Sequence, residues 1–165
     1  MTWLVIGSNS FSGASFCEHL LKTGQEVVGT SRSEEVAFPF RPYGWRETTG
    51  SFTFQKIALN HDLDGLMALI AQRKPRFIVN YAAQSMVGQS WDHPEDWMTT
   101  NVVSTTNLFE RLRHVDHLER YVHVTTPEVY GSTEGWVDEG TAFNPSTPYA
   151  VSRAAGDMSL LVYHK

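Results

Sequence analysis

The sequence predicts an α/β protein built on a doubly wound parallel sheet. Short apolar runs alternate with helix-period segments along the whole chain, and the first run ends in a glycine-bounded turn that opens straight into a helix. No internal repeat, low-complexity tract or linker interrupts the alternation, so residues 1–165 read as one domain. With 41% hydrophobic and 19% charged residues, 165 residues are enough to bury a sizeable core.

Taken in order, "TWLVIG" (2–7) reads as the first strand. Residues 12–23 set Phe16, Leu20 and Leu21 at helical spacing, and Gly24 closes that helix. "EVVGTS" (26–31) is the second strand, and 33–50, with its prolines, glycines and aromatics, is loop. "FTFQKIAL" (52–59) is a third strand, 62–73 a helix that stops before Pro75, and "RFIVNYAA" (76–83) a fourth strand. Residues 94–113 form a long helix with Val102, Val103, Leu108 and Leu112 on its buried side. "RYVHVTT" (120–126) is the fifth strand and 147–164 the final helix.

A net charge of −5 makes nucleic acid and anionic membranes poor partners. No apolar run has the length to span a bilayer, and the N-terminus reads as a strand rather than a signal peptide. A soluble, cytoplasmic protein is expected. The single cysteine, Cys17, falls at helical spacing with Ala14, Leu20 and Leu21, so it reads as a buried small hydrophobe rather than a nucleophile. His114 and His117 have no cysteine or carboxylate set to complete a ligand pattern, so no metal site is expected.

"GSNSFSG" (7–13) joins the first strand to the first helix. Gly7 and Gly13 are spaced as in a dinucleotide fingerprint, with Ser10 at the middle position. A pyrophosphate needs a tight turn, close backbone approach and amides at a helix N-terminus, which Gly7, Asn9, Ser10, Phe11 and Gly13 would supply. The alternative is a purely structural turn of small residues. At the end of the second strand, where a carboxylate usually holds a ribose 2′-hydroxyl, stand Thr30, Ser31 and Arg32. Hydroxyls and a cation suit a 2′-phosphate, so NADP(H) is expected over NAD(H), unless Arg32 is only a solvated loop residue.

"NYAAQSMVGQSWDHPEDWMTTNVVSTTNLFE" (80–110), "VTTPEVYG" (124–131) and "PSTPYAVSRAAGD" (145–157) resemble the extended short-chain dehydrogenase/reductase family. Within it they are most similar to the nucleotide-sugar 4,6-dehydratases, the GDP-mannose 4,6-dehydratase type in particular. The resemblance runs from residue 2 to the end of the chain. It implies a Rossmann-like domain and a reaction in which hydride leaves sugar C4, water is eliminated across C5 and C6, and hydride returns at C6. Thr126, Glu128, Tyr149 and Arg153 fall on the family's catalytic positions. Tyr149 would take the C4 hydroxyl proton, Arg153 would stabilise its phenolate and touch the nicotinamide ribose, and Thr126 would hydrogen-bond the same sugar oxygen. Glu128 would remove the C5 proton, acidic once C4 is a ketone. With one residue between them at a strand end, Thr126 and Glu128 are expected to project the same way. The backbones of Asn80, Ala82, Ala83 and Gln84 would line the nicotinamide side of the cofactor. Ser85 and Asn101 also match family positions, Asn101 as a structural or a catalytic group, and Asp62 or Asn60 would contact adenine.

Three departures qualify the implied activity. Pro127 stands where many dTDP-glucose enzymes carry an aspartate that protonates the leaving hydroxyl, a job proline cannot do. Arg153 replaces the family's lysine with a longer, planar, forked cation. The chain stops at Lys165, so the C-terminal part of the family fold is absent, and 1–165 reads as the N-terminal portion of a longer chain, inactive alone. A 4-epimerase or reductase of the same family, needing Tyr149 but not Glu128, is the nearest alternative. A catalytically silent dinucleotide-binding module is the next. The long helix and the final helix resemble the pair that forms the family's dimer contacts, so a homodimer or tetramer is expected.

Overall fold

The computed structural model describes residues 1–163, so residue 164, expected to end the final helix, lies outside the described residues. The chain forms two compact units. The first contains Met1–Ala82 and His114–Val124, the second Ala83–Arg113 and the chain from Thr125 onward.

The first unit holds a five-stranded sheet: β1 (Thr2–Ile6), β2 (Glu26–Ser31), β3 (Ser51–Lys56), β4 (Phe77–Asn80) and β5 (Arg120–His123), ordered β3-β2-β1-β4-β5. Every neighbouring pair is parallel. In register, Leu4 lies between Val28 and Ile78, and all three are buried. Central strands of a parallel sheet are covered on both faces, which is why β1, β2 and β4 read as apolar runs rather than alternations. Edge strand β3 does alternate: Phe52 and Phe54 are half-buried between exposed Ser51, Thr53 and Gln55. Helix α1 (Phe11–Lys22) buries Ala14, Cys17, Leu20 and Leu21 against Val5, Val27 and Tyr43. Gly24, at φ +76°, closes it with an N–H to the Leu21 carbonyl. Helix α2 (Leu63–Arg73) is capped by the Asp62 carboxylate, which accepts from the Gly65 N–H at 3.0 Å.

Several expected strands are longer than those observed. The third stops at Lys56 rather than 59 because its partner β2 ends at Ser31. The fourth stops at Asn80, where the Asn80 Oδ1 takes the Ala82 N–H at 2.9 Å and turns the chain out of the ladder. The fifth stops at His123 rather than 126. The 33–50 loop contains two short 3₁₀ turns, Phe38–Phe40 and Pro42–Gly44, the second burying Tyr43.

The second unit is helical. Helix α3 (Pro94–Met98) runs through a π-helical stretch, Thr99–Ser104, into α4 (Thr105–Leu112), and α5 spans Pro148–Tyr163. The π stretch corrects the expected buried face: Val103 is 54% exposed and Val102 only half-buried, while Asn101, Ser104, Thr105, Leu108, Phe109 and Leu112 are buried. A π turn inserts an extra residue, so the apolar 3.6-residue period slips across it. There α5 comes close: a Cβ on Gly156 would sit 2.6 Å from the Asn101 carbonyl oxygen.

Candidate active site

In the first unit the Gly7–Gly13 turn is built around backbone proximity. Gly7 has φ +82°, and a Cβ there would meet the Ala82 nitrogen at 2.6 Å. A Cβ on Gly13 would meet the Gly7 carbonyl at 2.4 Å. Ser10 is the N-cap of α1: its hydroxyl donates to the Gly7 carbonyl at 2.8 Å and accepts from the Gly13 N–H at 3.0 Å. That pair of hydrogen bonds explains a serine at the middle position, since the side chain folds back into the turn. The Gly7 and Ser8 amides both donate to the Thr30 carbonyl, at 2.8 and 3.0 Å, fastening the turn to the end of β2. A tight turn, two glycines that admit no Cβ, and a capped helix N-terminus fit a dinucleotide pyrophosphate. Ser31 ends β2 half-buried, Arg32 follows it exposed, and Phe11 is exposed at the first turn of α1. Buried Thr30 leaves its hydroxyl oxygen without a hydrogen-bond partner among the described residues. Asp62, expected near adenine, has its carboxylate on the α2 cap, and the Asn9 side chain bonds the 33–36 segment.

In the second unit, Tyr149, Arg153 and Asp157 repeat every four residues along α5, one face of the helix. Tyr149 and Arg153 are both buried. The Tyr149 backbone is held at both ends: its N–H donates to Ser90 Oγ at 3.1 Å, and its carbonyl accepts from Ser152 Oγ at 2.7 Å. Ser152 in turn accepts from Asn101 Nδ2 at 2.9 Å, and Asn101 also pairs with both backbone groups of Gln84, each at 2.9 Å. The Asn101 amide is fully used in joining Gln84 to α5, a structural role. Ala83 and Gln84 are half-buried and Ser85 exposed beside it.

The expected projection of Thr126 and Glu128 from one strand is corrected. With β5 ended at His123, Thr126 is extended (φ −140°, ψ 143°) and caps a 3₁₀ turn, Pro127–Tyr130, to which Glu128 belongs. Proline at 127 starts that turn, and the Thr126 hydroxyl oxygen accepts the Glu128 N–H at 3.4 Å. The strand alternation therefore does not set the Glu128 direction. Thr126 lines a cavity of about 330 Å³ with Pro127, Tyr130, Phe143 and Asp157. The Asp157 carboxyl is pushed above its ordinary range by burial, an effect opposed by the Thr125 hydroxyl, which donates to it at 2.5 Å, and by the Arg153 charge. Asp157 was legible as the next residue on the Tyr149–Arg153 face. Ser90 was not, since 59 residues separate it from the amide it receives.

Residues 4–165 match the family model for GDP-mannose 4,6 dehydratase. The chain belongs to that family. GDP-mannose 4,6 dehydratase family membership agrees with the individual relatives. The chain is 30% identical over 177 residues to a dTDP-glucose 4,6-dehydratase of Xanthomonas campestris pv. campestris, covering 99% of this chain and 49% of that one. It is 33% identical over 171 residues to a UDP-glucose 4-epimerase of Mycolicibacterium smegmatis, covering 99% and 51%. Among solved structures, a dTDP-glucose 4,6-dehydratase of Streptomyces venezuelae with NAD bound superposes with a TM-score of 0.84 at 28% identity, covering 99% and 52%. The chain thus spans about half the length of the curated relatives it matches. As a family member it has the expected parallel Rossmann-like sheet. No helix among the described residues is long and apolar enough to cross a membrane.

Proposed function

We propose that this chain is the dinucleotide-binding part of an NADP-dependent nucleotide-sugar 4,6-dehydratase of the GDP-mannose type. The observation that carries the reading is Thr126, Glu128, Tyr149 and Arg153 together in the second unit of a family member, with Tyr149 and Arg153 one turn apart on one helix face. A bound dinucleotide supplies reversible hydride transfer, out of sugar C4 and back at C6. Tyr149 accepts the C4 hydroxyl proton, and the buried Arg153 cation stabilises the resulting phenolate. Thr126 donates a hydrogen bond to the same oxygen, and Glu128 removes the C5 proton once C4 is a ketone. Proline at 127 removes one proton donor, so Glu128 or water returns the proton to the departing C6 oxygen. Arg32 and the hydroxyl of Ser31 favour a 2′-phosphate, hence NADP. The related structures hold NAD, which supports a dinucleotide in this fold; the 2′-phosphate rests on Arg32 and Ser31 alone.

The test is incubation of the complete protein with GDP-mannose and NADP⁺, which yields a 4-keto-6-deoxy sugar. Intact substrate after prolonged incubation across GDP-, dTDP- and UDP-sugars would overturn the reading. A 4-epimerase is the second reading, favoured by the 33% identity to a UDP-glucose 4-epimerase. Glu128→Gln separates the two: elimination falls by about 10²-fold or more, the scale of a lost acid–base group, whereas epimerisation persists. A catalytically silent module binds the dinucleotide and turns over nothing.

A further inference from the structure

We propose that Tyr121, on edge strand β5, is a positioning residue for the dinucleotide turn and acts through the buried side chain of Asn80; this rests on the dinucleotide reading above, for NAD and NADP alike. Asn80 ends β4 and is fully buried. Its side chain closes a turn onto the amide two residues on: the Ala82 N–H lies 2.9 Å from one end of it. The Tyr121 hydroxyl lies 3.0 Å from the other end. A backbone N–H can only donate, so the end of the Asn80 amide that faces Ala82 is the oxygen. The nitrogen is thereby turned to Tyr121, whose oxygen is the acceptor.

The Tyr121 hydroxyl also has one hydrogen of its own to give. His123 Nδ1 stands 3.1 Å away on the same face of β5, with the two rings stacked at an interplanar angle of 21°. Given to that nitrogen, the hydrogen makes Nδ1 the acceptor and leaves the imidazole proton on Nε2. The bonds then run one way, from Ala82 to Asn80 to Tyr121 to His123, each group donating to the next.

This relay holds the backbone that touches the glycine turn. A Cβ on Gly7 would meet the Ala82 nitrogen at 2.6 Å and the Tyr81 carbonyl carbon at 2.8 Å, so the two turns meet backbone to backbone. On its other side Gly7 donates to the Thr30 carbonyl at 2.8 Å. A displaced Ala82 therefore displaces the glycine turn. With phenylalanine at 121, the Asn80 nitrogen loses its acceptor in a site that water does not reach. The amide relieves that loss by turning, and its oxygen leaves the Ala82 N–H. Every residue of the relay, and the glycine turn itself, belongs to the first unit.

The experiment compares the native full chain with Tyr121→Phe, Asn80→Ala and the double variant. It reads amide hydrogen exchange, the nitrogen-15 spectrum of the His123 imidazole at pH 8, and calorimetric titration with NADH and NADPH. Tyr121→Phe keeps the ring and removes only the hydroxyl. It speeds exchange of the Ala82 amide about tenfold more than that of the β1 amides. It also weakens whichever dinucleotide the native chain binds by about tenfold, the scale of one buried amide left unpaired. Native His123 carries its proton on Nε2, and its Nδ1 signal shifts when the hydroxyl is removed. In the Asn80→Ala background, Tyr121→Phe changes neither exchange nor affinity further, because Tyr121 acts through Asn80. Equal acceleration of Ala82 and β1 amides makes Tyr121 a general support of the sheet and overturns the proposal. Strictly additive losses, or a proton on His123 Nδ1, overturn it too. Should Asn80→Ala fail to fold, Tyr121→Phe alone decides. A native chain that binds neither dinucleotide brings down the dinucleotide reading and this proposal with it, whereas a native chain that binds no more tightly than Tyr121→Phe removes Tyr121 alone.

Discussion

Cys17 shows how far a single buried side chain in this protein departs from its behaviour in water. Packed among Ala14, Leu20, Leu21 and Val27, its thiol is pushed by desolvation from 9.0 up to about 12. Nearby Tyr43 is raised as well, by burial and by the hydroxyl it donates to Glu35. For an acid whose folded value is raised, the unfolded chain releases its proton first. The contribution is therefore whole below about pH 9 and lost as the pH climbs toward 12, at about 1.4 kcal/mol per pH unit. Urea unfolding between pH 9 and 10 should show this slope in the native chain, on top of a smaller Tyr43 contribution that the Cys17→Ala protein shares. Cys17→Ala should flatten it whatever its constant packing cost; the same slope in both proteins would refute the assignment. The same burial keeps the thiol protonated and covered, so alkylation at pH 8 should be detectable only in denaturant.

Secondary structure elements were legible where local rules decide them and obscure where a distant contact does. The Gly24 stop and the Cys17 face of α1 follow from short-range spacing and agree with the sequence reading, whereas the N-cap role of Ser10 emerges only in the structure. Ser10→Ala should cost about 1 kcal/mol in urea unfolding, since the Gly13 amide loses its acceptor. Gly7→Ala should cost more than that and abolish dinucleotide binding, because its Cβ would meet the Ala82 backbone at a positive φ. The apolar spacing over 94–113 predicts the extent of the helix but not its buried face. Nothing in the apolar pattern announces the π turn, whose place matches the Asn101 bonds to Gln84 and Ser152 and the close approach of Gly156. Val102 and Val103 looked like core residues because their spacing to Leu108 and Leu112 fits an unbroken α-helix. Likewise Glu128 was assigned a direction from strand alternation, and a proline-initiated 3₁₀ turn took it out of the strand. Gly156→Ala tests the close approach: a Cβ 2.6 Å from the Asn101 oxygen should destabilise the chain by about 1–3 kcal/mol, and a neutral change would show that α5 can shift aside.

Across the whole molecule, the feature that bears on assembly is the outer side of α5. Val151, Met158 and Val162 are 41%, 58% and 68% exposed, and they recur at i, i+7 and i+11, a single stripe on a straight helix. Single exposed apolar residues need no explanation, but a helical stripe of them favours an apolar partner. The sequence resemblance to a family whose corresponding helices form dimer contacts makes a second copy of this chain the proposed partner, with like stripes packing about a two-fold axis. In such an isologous contact each residue is used twice, so one substitution introduces two charges. Met158→Lys, at the middle of the stripe, sets two ammonium groups against each other in the contact while remaining solvated in the monomer. Light scattering across a concentration series should therefore find a dimer for the native chain and a monomer for Met158→Lys, with unchanged urea unfolding of the monomer. A native chain that stays monomeric at every concentration, or a variant that dimerises as well as the native chain, would remove α5 from the interface.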